Sequence, residues 1–169
     1  EIISLSDLQC HDEIPETADT LEGNALIKAR YVWERFGLYC FADDTGLEVE
    51  ALGGAPGVYS ARFAGEHATF EDNVSLLLER LSGVAEPRRA RFRTVIALID
   101  EYGTHFFEGS VDGEITLERS GNHGFGYDPV FRPEGREETF AQLTEQEKNS
   151  MSHRGRAVQK LVNYLRALA

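Results

Sequence analysis

The stretch LYCFADDTGLEVEA, residues 38–51, decides the fold. Leu38 to Ala42 is apolar throughout, the pattern of a strand buried on both faces, and Leu47, Val49 and Ala51 then alternate with Glu48 and Glu50. Between the two runs, Asp43-Asp44 closes the first and Thr45-Gly46 reads as a turn, so strands are predicted on either side of DDTG. Paired carboxylates at a strand end lie where open α/β sheets place functional groups, and oxygen ligands of this kind suit Mg²⁺. Asp is also favoured in turns for local reasons, so this stretch alone leaves a turn and a site equally open.

Upstream, Asp19-Thr20-Leu21-Glu22 has the spacing of a capping box, and Ala25, Ala29, Val32, Trp33 and Phe36 recur at helical intervals until Gly37 supplies a stop. Downstream, Gly53 to Gly57 is loop chemistry, and Thr69 precedes a second amphipathic helix with Phe70, Val74, Leu77, Leu78 and Leu81 on its apolar side. Ala90 to Ile99, Thr104 to Glu108 and Glu114 to Leu117 read as successive strands, with turns at Glu101-Tyr102-Gly103 and Val111-Asp112-Gly113. Residues 118–138 form a Gly- and Pro-containing connection long enough to be functional. Ser152 is placed to cap a last helix striped by Ala157, Leu161, Leu165 and Leu168. The expectation is a single α/β domain over residues 1–169, with helices flanking a mixed sheet.

Composition narrows the function classes. A chain of 169 residues supports one core, and no apolar run approaches the ~20 residues of a membrane span. The formal charge of -12 repels polyanions, which argues against a nucleic acid polymer or an acidic membrane as partner. No signal-peptide pattern is read at the start, and a first residue of Glu1 suggests a trimmed N-terminus. Cys10 and Cys40 have no paired spacing, so both are expected as reduced thiols, Cys40 buried in a strand, in a soluble cytoplasmic protein.

Three further segments carry chemistry. Glu16 follows Pro15 in a polar loop ahead of the first helix and would add an acidic oxygen ligand to the Asp pair. In GNHGFGYDPVF, residues 121–131, glycines on both sides of Phe125 let backbone approach a ligand while Phe125 offers a stacking face, although an aromatic-anchored loop accounts for the same pattern. EKNSMSHRGRA, residues 147–157, gathers Lys148, His153, Arg154 and Arg156 around a helix start, which is a natural anion site or else a solvated basic face. His11, His67, His105 and His123 have no ligand spacing and read as surface or packing residues, and no covalent-nucleophile signature is present.

PETADTLEGNALIKAR, FADDTGLEVEALGGAPGVYSARFAG, GFGYDPVF and TFAQLTEQEKNSMSHRGRA, taken in this order, resemble the inosine triphosphate pyrophosphatase family from about Ile14 to the last helix. The resemblance implies an elongated mixed sheet with an active-site cleft between two lobes, a homodimer, and Mg²⁺-dependent hydrolysis of ITP, dITP and XTP to monophosphate and pyrophosphate. It implies that Asp44 is general base and metal ligand, and that Glu16 is the second metal ligand. Thr45 stands where a substrate-contacting Ser is usual, Phe125, Gly126, Tyr127 and Asp128 resemble the base-binding segment, and Lys148, His153 and Arg154 match substrate contacts. The sequence departs from the family pattern at Ala18, at His123, and in having no Thr/Ser-x-Asn-x-x-Lys phosphate turn before Ile2. Two other readings stay open: a nucleotide-binding homologue without activity, and a Maf-like pyrophosphatase acting on pyrimidine triphosphates.

Overall fold

The computed structural model describes residues Glu1–Ala169. In chain order it runs α1 (Leu21–Phe36), β1 (Cys40–Val49), α2 (Phe70–Arg80), β2 (Arg89–Asp100), β3 (Gly103–Ile115), β4 (Phe131–Pro133), α3 (Glu145–Asn149) and α4 (His153–Ala167), with short 3₁₀ turns at Glu50–Leu52, Gly57–Arg62 and Asp128–Val130. The helix signals act mostly as expected. Gly37 closes α1 in the left-handed conformation at φ 64, Thr69 and Asp72 form a capping box at α2, and Ser152 accepts from Gly155 N at α4. The N-cap of α1 is Thr20, bonded to Gly23 N, one residue beyond the expected Asp19.

The four strands make one open sheet in the order β1-β2-β3-β4. Every pair is antiparallel, where a mixed sheet was expected. The cause is the connections: the chain from Glu50 to Arg88 returns it beside β1 in the opposite direction, and Glu101-Tyr102 turns β2 directly into β3. α1 packs on one face of the sheet, where Ala25 and Ala29 meet Ala97 and Ile99 with Cys40 and Ala42 alongside. α4 packs on the other face, where Ala157 and Leu161 meet Ile96 and Leu98. The far end of the strands carries the main core, which joins Leu47, Val49, Phe92 and Ile115 to Val74 and Leu77 of α2 and to Phe131 and Phe140. Phe92 anchors it, 4.6 Å from the Phe131 ring and 5.9 Å from Phe140, pairs that each add ~0.5–1.5 kcal/mol beyond area burial. The molecule is thus divided along the sheet into two packing regions.

Three strand expectations are corrected. DDTG lies inside β1, which is one continuous strand, and the VDG segment likewise lies inside β3. Both misreadings turn on glycine. A Cβ at Gly46 would fall on the backbone of Gly57 and one at Gly113 on the backbone of Arg132 and 2.7 Å from the Phe131 ring, so these glycines admit a crossing chain and form no turn. The third concerns residues 38–42, which are not buried on both faces: Tyr39 is 61% exposed, and Leu38 and Phe41 are also exposed, because β1 is the sheet edge and α1 covers only one side.

Both cysteines are free; Cys10 is buried and Cys40, on β1, is half-buried with its thiol donating to Ala29 O at 3.1 Å. His105 has a packing role: it lies 3.0 Å from Asp100 Oδ1, and Tyr164 donates to Asp100 Oδ2 at 2.8 Å, which pins α4 to the β2–β3 hairpin. The apolar stripe of α4 is buried only at Ala157 and Leu161, with Leu165 and Leu168 exposed toward its end. No helix is long and apolar enough to cross a membrane.

Candidate active site

Because side chains alternate along a strand, Asp44 and Thr45 leave β1 on opposite faces of the sheet. Asp44 points to the α1 face, where Lys28 is its charged partner. Lys28 Nζ of α1 lies 3.9 Å from Asp44 Oδ1 and 2.9 Å from Glu16 Oε1, so one ammonium bridges both carboxylates. Asn24, one helical turn before Lys28, accepts from Ala18 N at 2.9 Å and thereby ties the Glu16 loop to α1. Asp44 Oδ2 is buried with no hydrogen-bond partner, as is Asn24 Nδ2. Burial pushes the Asp44 carboxyl above its usual range; Lys28 pulls it down, Glu16 pushes it up, and Asn24 and the Thr45 backbone pull it down. Asp43 plays no part here, because it leaves β1 on the α4 face and pairs with Arg154 Nε at 3.1 Å.

On the α4 face a cavity of about 180 Å³ opens between the two packing regions. Thr45, Phe125, Gly126, Tyr127, Asp128, Lys148, His153 and Arg154 all line it. Thr45 Oγ1 shares a 2.7 Å hydrogen bond with the buried Thr94 Oγ1 and accepts from Arg154 Nη2 at 3.3 Å. Asp128 is buried, and its Oδ2 accepts from Phe125 N at 3.1 Å and from Lys148 Nζ at 2.5 Å, which fixes the aromatic loop to α3. Gly124 and Gly126 hold φ of 74 and 60, and a Cβ on Gly124 would fall on the Asp128 carboxylate. Tyr127 is buried and donates to Ser60 O at 2.7 Å, closing the floor of the loop. His153 opens α4 and stacks on Phe92 at 4.9 Å and 15°, and its Nδ1 is buried without a partner. Burial first, then the charges of Arg154 and Lys148, push its imidazole down to about 4, so the ring is neutral near pH 7.

The structure therefore gathers all the residues expected to touch substrate on one side of the edge strand, and places Asp44 and Glu16 together on the other. Sequence reasoning missed Lys28 and Asn24, although their i, i+4 spacing on α1 was available as a signal. It also placed Phe70 in the core stripe of α2, whereas Phe70 is 58% exposed and lines the cavity with Ser60, Asn73 and Phe92. At about 180 Å³ the cavity is smaller than the ~300 Å³ lower bound of drug-sized sites, so it has room for a ring but not for the whole of a larger ligand. A wider groove of about 500 Å³ along Glu48, Arg89, Arg91 and Asp112 has no aromatic wall.

An α/β fold with an aromatic, cation-rimmed cavity on one side of an edge strand and two converging carboxylates on the other defines a site for a small anionic ligand carrying a flat ring. The comparisons give that class its family. The chain matches the model described as the Ham1 family over residues 1–164, and it belongs to that family. It is 59% identical over 165 residues to the dITP/XTP pyrophosphatase of Porphyromonas gingivalis, covering 98% of this chain and 85% of that protein. It is 52% identical over 166 residues to the dITP/XTP pyrophosphatase of Flavobacterium johnsoniae, covering 98% and 86%. Among solved structures, the Staphylococcus aureus Ham1 protein superposes with a TM-score of 0.94 at 39% identity, covering 100% of this chain and 88% of that one. The Mycobacterium abscessus nucleoside-triphosphatase / dITP/XTP pyrophosphatase superposes at 0.84 with 45% identity, covering 98% and 85%.

Proposed function

We propose that this chain hydrolyses non-standard purine nucleoside triphosphates, ITP, dITP and XTP, to the monophosphate and pyrophosphate, and so clears them from the nucleotide pool. The observation that carries this reading is the division of the site across one strand: the ring-sized cavity beside Thr45 and the carboxylates beside Asp44 are a single residue apart on the first strand of the sheet. A nucleotide whose base enters the cavity reaches the acidic side by passing its triphosphate around that strand.

The donor set fits Mg²⁺. Asp44 and Glu16 are two carboxylates sharing one cation, and Asp44 has a buried oxygen with no partner. These two residues would hold the ion together with substrate oxygens, where it would neutralise the triphosphate. Asp44, its proton affinity raised by burial, accepts the proton of the water that attacks the α-phosphorus as pyrophosphate leaves. Lys28 keeps the two carboxylates from repelling one another and places a positive charge on the phosphate side.

In the cavity Phe125 stacks on the purine, and Arg154 and the neutral imidazole of His153 donate to the 6-keto oxygen of hypoxanthine or xanthine. Adenine presents a donor at that position and leaves these groups unpaired, a mismatch that discriminates by up to ~10⁴ to 10⁵-fold. A homodimer in the cytoplasm belongs to the same proposal, the dimer from the family resemblance and the location from the two free thiols. The test is pyrophosphate release from a panel of purine and pyrimidine triphosphates with and without Mg²⁺. Preferred turnover of ITP, dITP and XTP is expected; a preference for pyrimidine triphosphates, or for ATP, overturns the reading.

A further inference from the structure

The cavity has an aromatic residue at its mouth that the base-binding segment does not account for. Phe70 is the first residue of α2, and while Val74 and Leu77 farther along the same stripe are buried, Phe70 is 58% exposed. It faces Phe125, itself 61% exposed, with ring centroids 6.3 Å apart and planes tilted by 42°. Two large apolar rings are left exposed beside the same cavity, where a flat ligand ring could cover both. A flat ring held between two others needs two layers at ~3.5–4.0 Å each, or ~7–8 Å between the outer planes. The present separation is short of that by roughly one ångström.

The two rings are mounted differently. Phe70 stands on a rigid base: Thr69 and Asp72 close the capping box, and Asn73 accepts from Ala64 N at 2.8 Å and donates to Ala61 O at 3.1 Å. Phe125 lies in a loop between Gly124 and Gly126, both at positive φ, with Lys148 Nζ 4.6 Å from its ring centroid. Arg119 ties the stem of that loop to α2, with Nη2 donating to Ser75 Oγ at 2.7 Å and Nε 3.3 Å from Glu71 Oε2. The stem is thereby held to the helix, and a turn of the Phe125 side chain is the adjustment that would bring its ring parallel to Phe70.

We propose that Phe70 is the second stacking wall of the site, so that a purine ring is clamped between Phe70 and Phe125. The proposal rests on the reading of this cavity as the base site. Stacking is indifferent to the hydrogen-bonding edge of the ring, so Phe70 adds affinity for any purine and contributes nothing to the choice among them.

The test compares wild type with Phe70→Ala, Phe70→Leu and Phe70→Tyr, using calorimetric binding of inosine monophosphate and steady-state pyrophosphate release from ITP and XTP. Since Phe70 is exposed, the variants are expected to keep the wild-type melting temperature. Phe70→Ala should weaken inosine monophosphate binding and raise KM for ITP and XTP by one common factor, between about 5- and 100-fold, with kcat within about twofold. Phe70→Tyr should restore both and Phe70→Leu should fall between. Binding and KM within twofold of wild type in Phe70→Ala, a kcat loss without a KM change, or unequal factors for ITP and XTP would overturn the clamp and leave the base-site reading standing. A wild-type chain that neither binds inosine monophosphate nor cleaves a purine triphosphate overturns both.

Discussion

Asp44 and Thr45 are consecutive in the chain and work on opposite faces of the sheet. Asp44 Oδ1 lies 3.9 Å from Lys28 on the α1 side, and Thr45 Oγ1 lies 3.3 Å from Arg154 on the α4 side. Consecutive residues of a strand face opposite ways, and here the strand is the first of the four in the sheet.

The division predicts that binding and turnover separate by mutation. Asp44→Asn removes the proton acceptor and a buried charge but leaves the cavity untouched, so turnover of ITP should fall by ~10² to 10⁴-fold while inosine monophosphate binding stays within about twofold. Calorimetry and pyrophosphate release on the same preparation check this. Near-normal turnover would remove Asp44 from its assigned role.

Lys28 is predicted to contribute stability as well as charge. It is the cation of both Glu16 and Asp44, and all three side chains are partly buried, so Lys28→Met leaves two unpaired carboxylates together and should cost more than the ~0–1 kcal/mol of an exposed pair and less than the ~3–5 kcal/mol of a fully buried one. In the Lys28→Met/Asp44→Asn double variant that repulsion is gone. Urea unfolding should show the pair costing less than the sum of the single changes, and strict additivity would mean that the 3.9 Å approach carries no energy.

What was legible in the sequence followed the reach of its signals. Helix caps are local, and Thr69, Ser152 and Gly37 mark their ends as read. The motif residues at 125–128 and 148–154 were legible as a set because each offers a distinctive ring, charge or glycine, and they do converge on one cavity. The glycines within DDTG and VDG misled because a turn glycine and a close-approach glycine are the same letter. Only the crossing of Gly57 over Gly46, and of β4 over Gly113, distinguishes them, and both contacts are distant in sequence. The opposite facing of Asp44 and Thr45 was hidden for the same reason, since a turn at Thr45-Gly46 would have broken the strand alternation that separates them.

Gly109 extends that lesson to the site itself. It lies in β3 under the first turn of α4, where an added Cβ would fall on the backbone of His153 and 2.9 Å from Arg156 Cβ. Gly109→Ala therefore lifts the helix that carries His153 and Arg154. Overpacking of this kind costs ~1–3 kcal/mol, and contact with backbone leaves little room to relax, so the upper end is expected. A urea-unfolding loss near that size should be accompanied by a raised KM for ITP; a variant as stable as wild type would mean that α4 is not seated on β3 at this point.

The buried imidazole of His153 predicts a pH dependence of stability. In the unfolded chain it titrates near 6.5, and in the folded protein burial and the charges of Arg154 and Lys148 push it down to about 4. Between those values the unfolded state holds the proton and the folded state does not, so its contribution is fully present above about 6.5 and is lost as pH falls toward 4. The size of the loss is on the order of 2–3 kcal/mol. His153→Gln has no titrating group there and loses the ring stacked on Phe92, so it should be less stable at pH 7.5 yet decline less steeply below 6.5. Unfolding free energies of both proteins across this range make the comparison, and the informative quantity is the difference between the two curves, because carboxylates elsewhere titrate equally in both. Parallel curves would mean that His153 accepts its proton in the folded state as readily as in water, so that its burial against Phe92 carries no penalty for charging the ring.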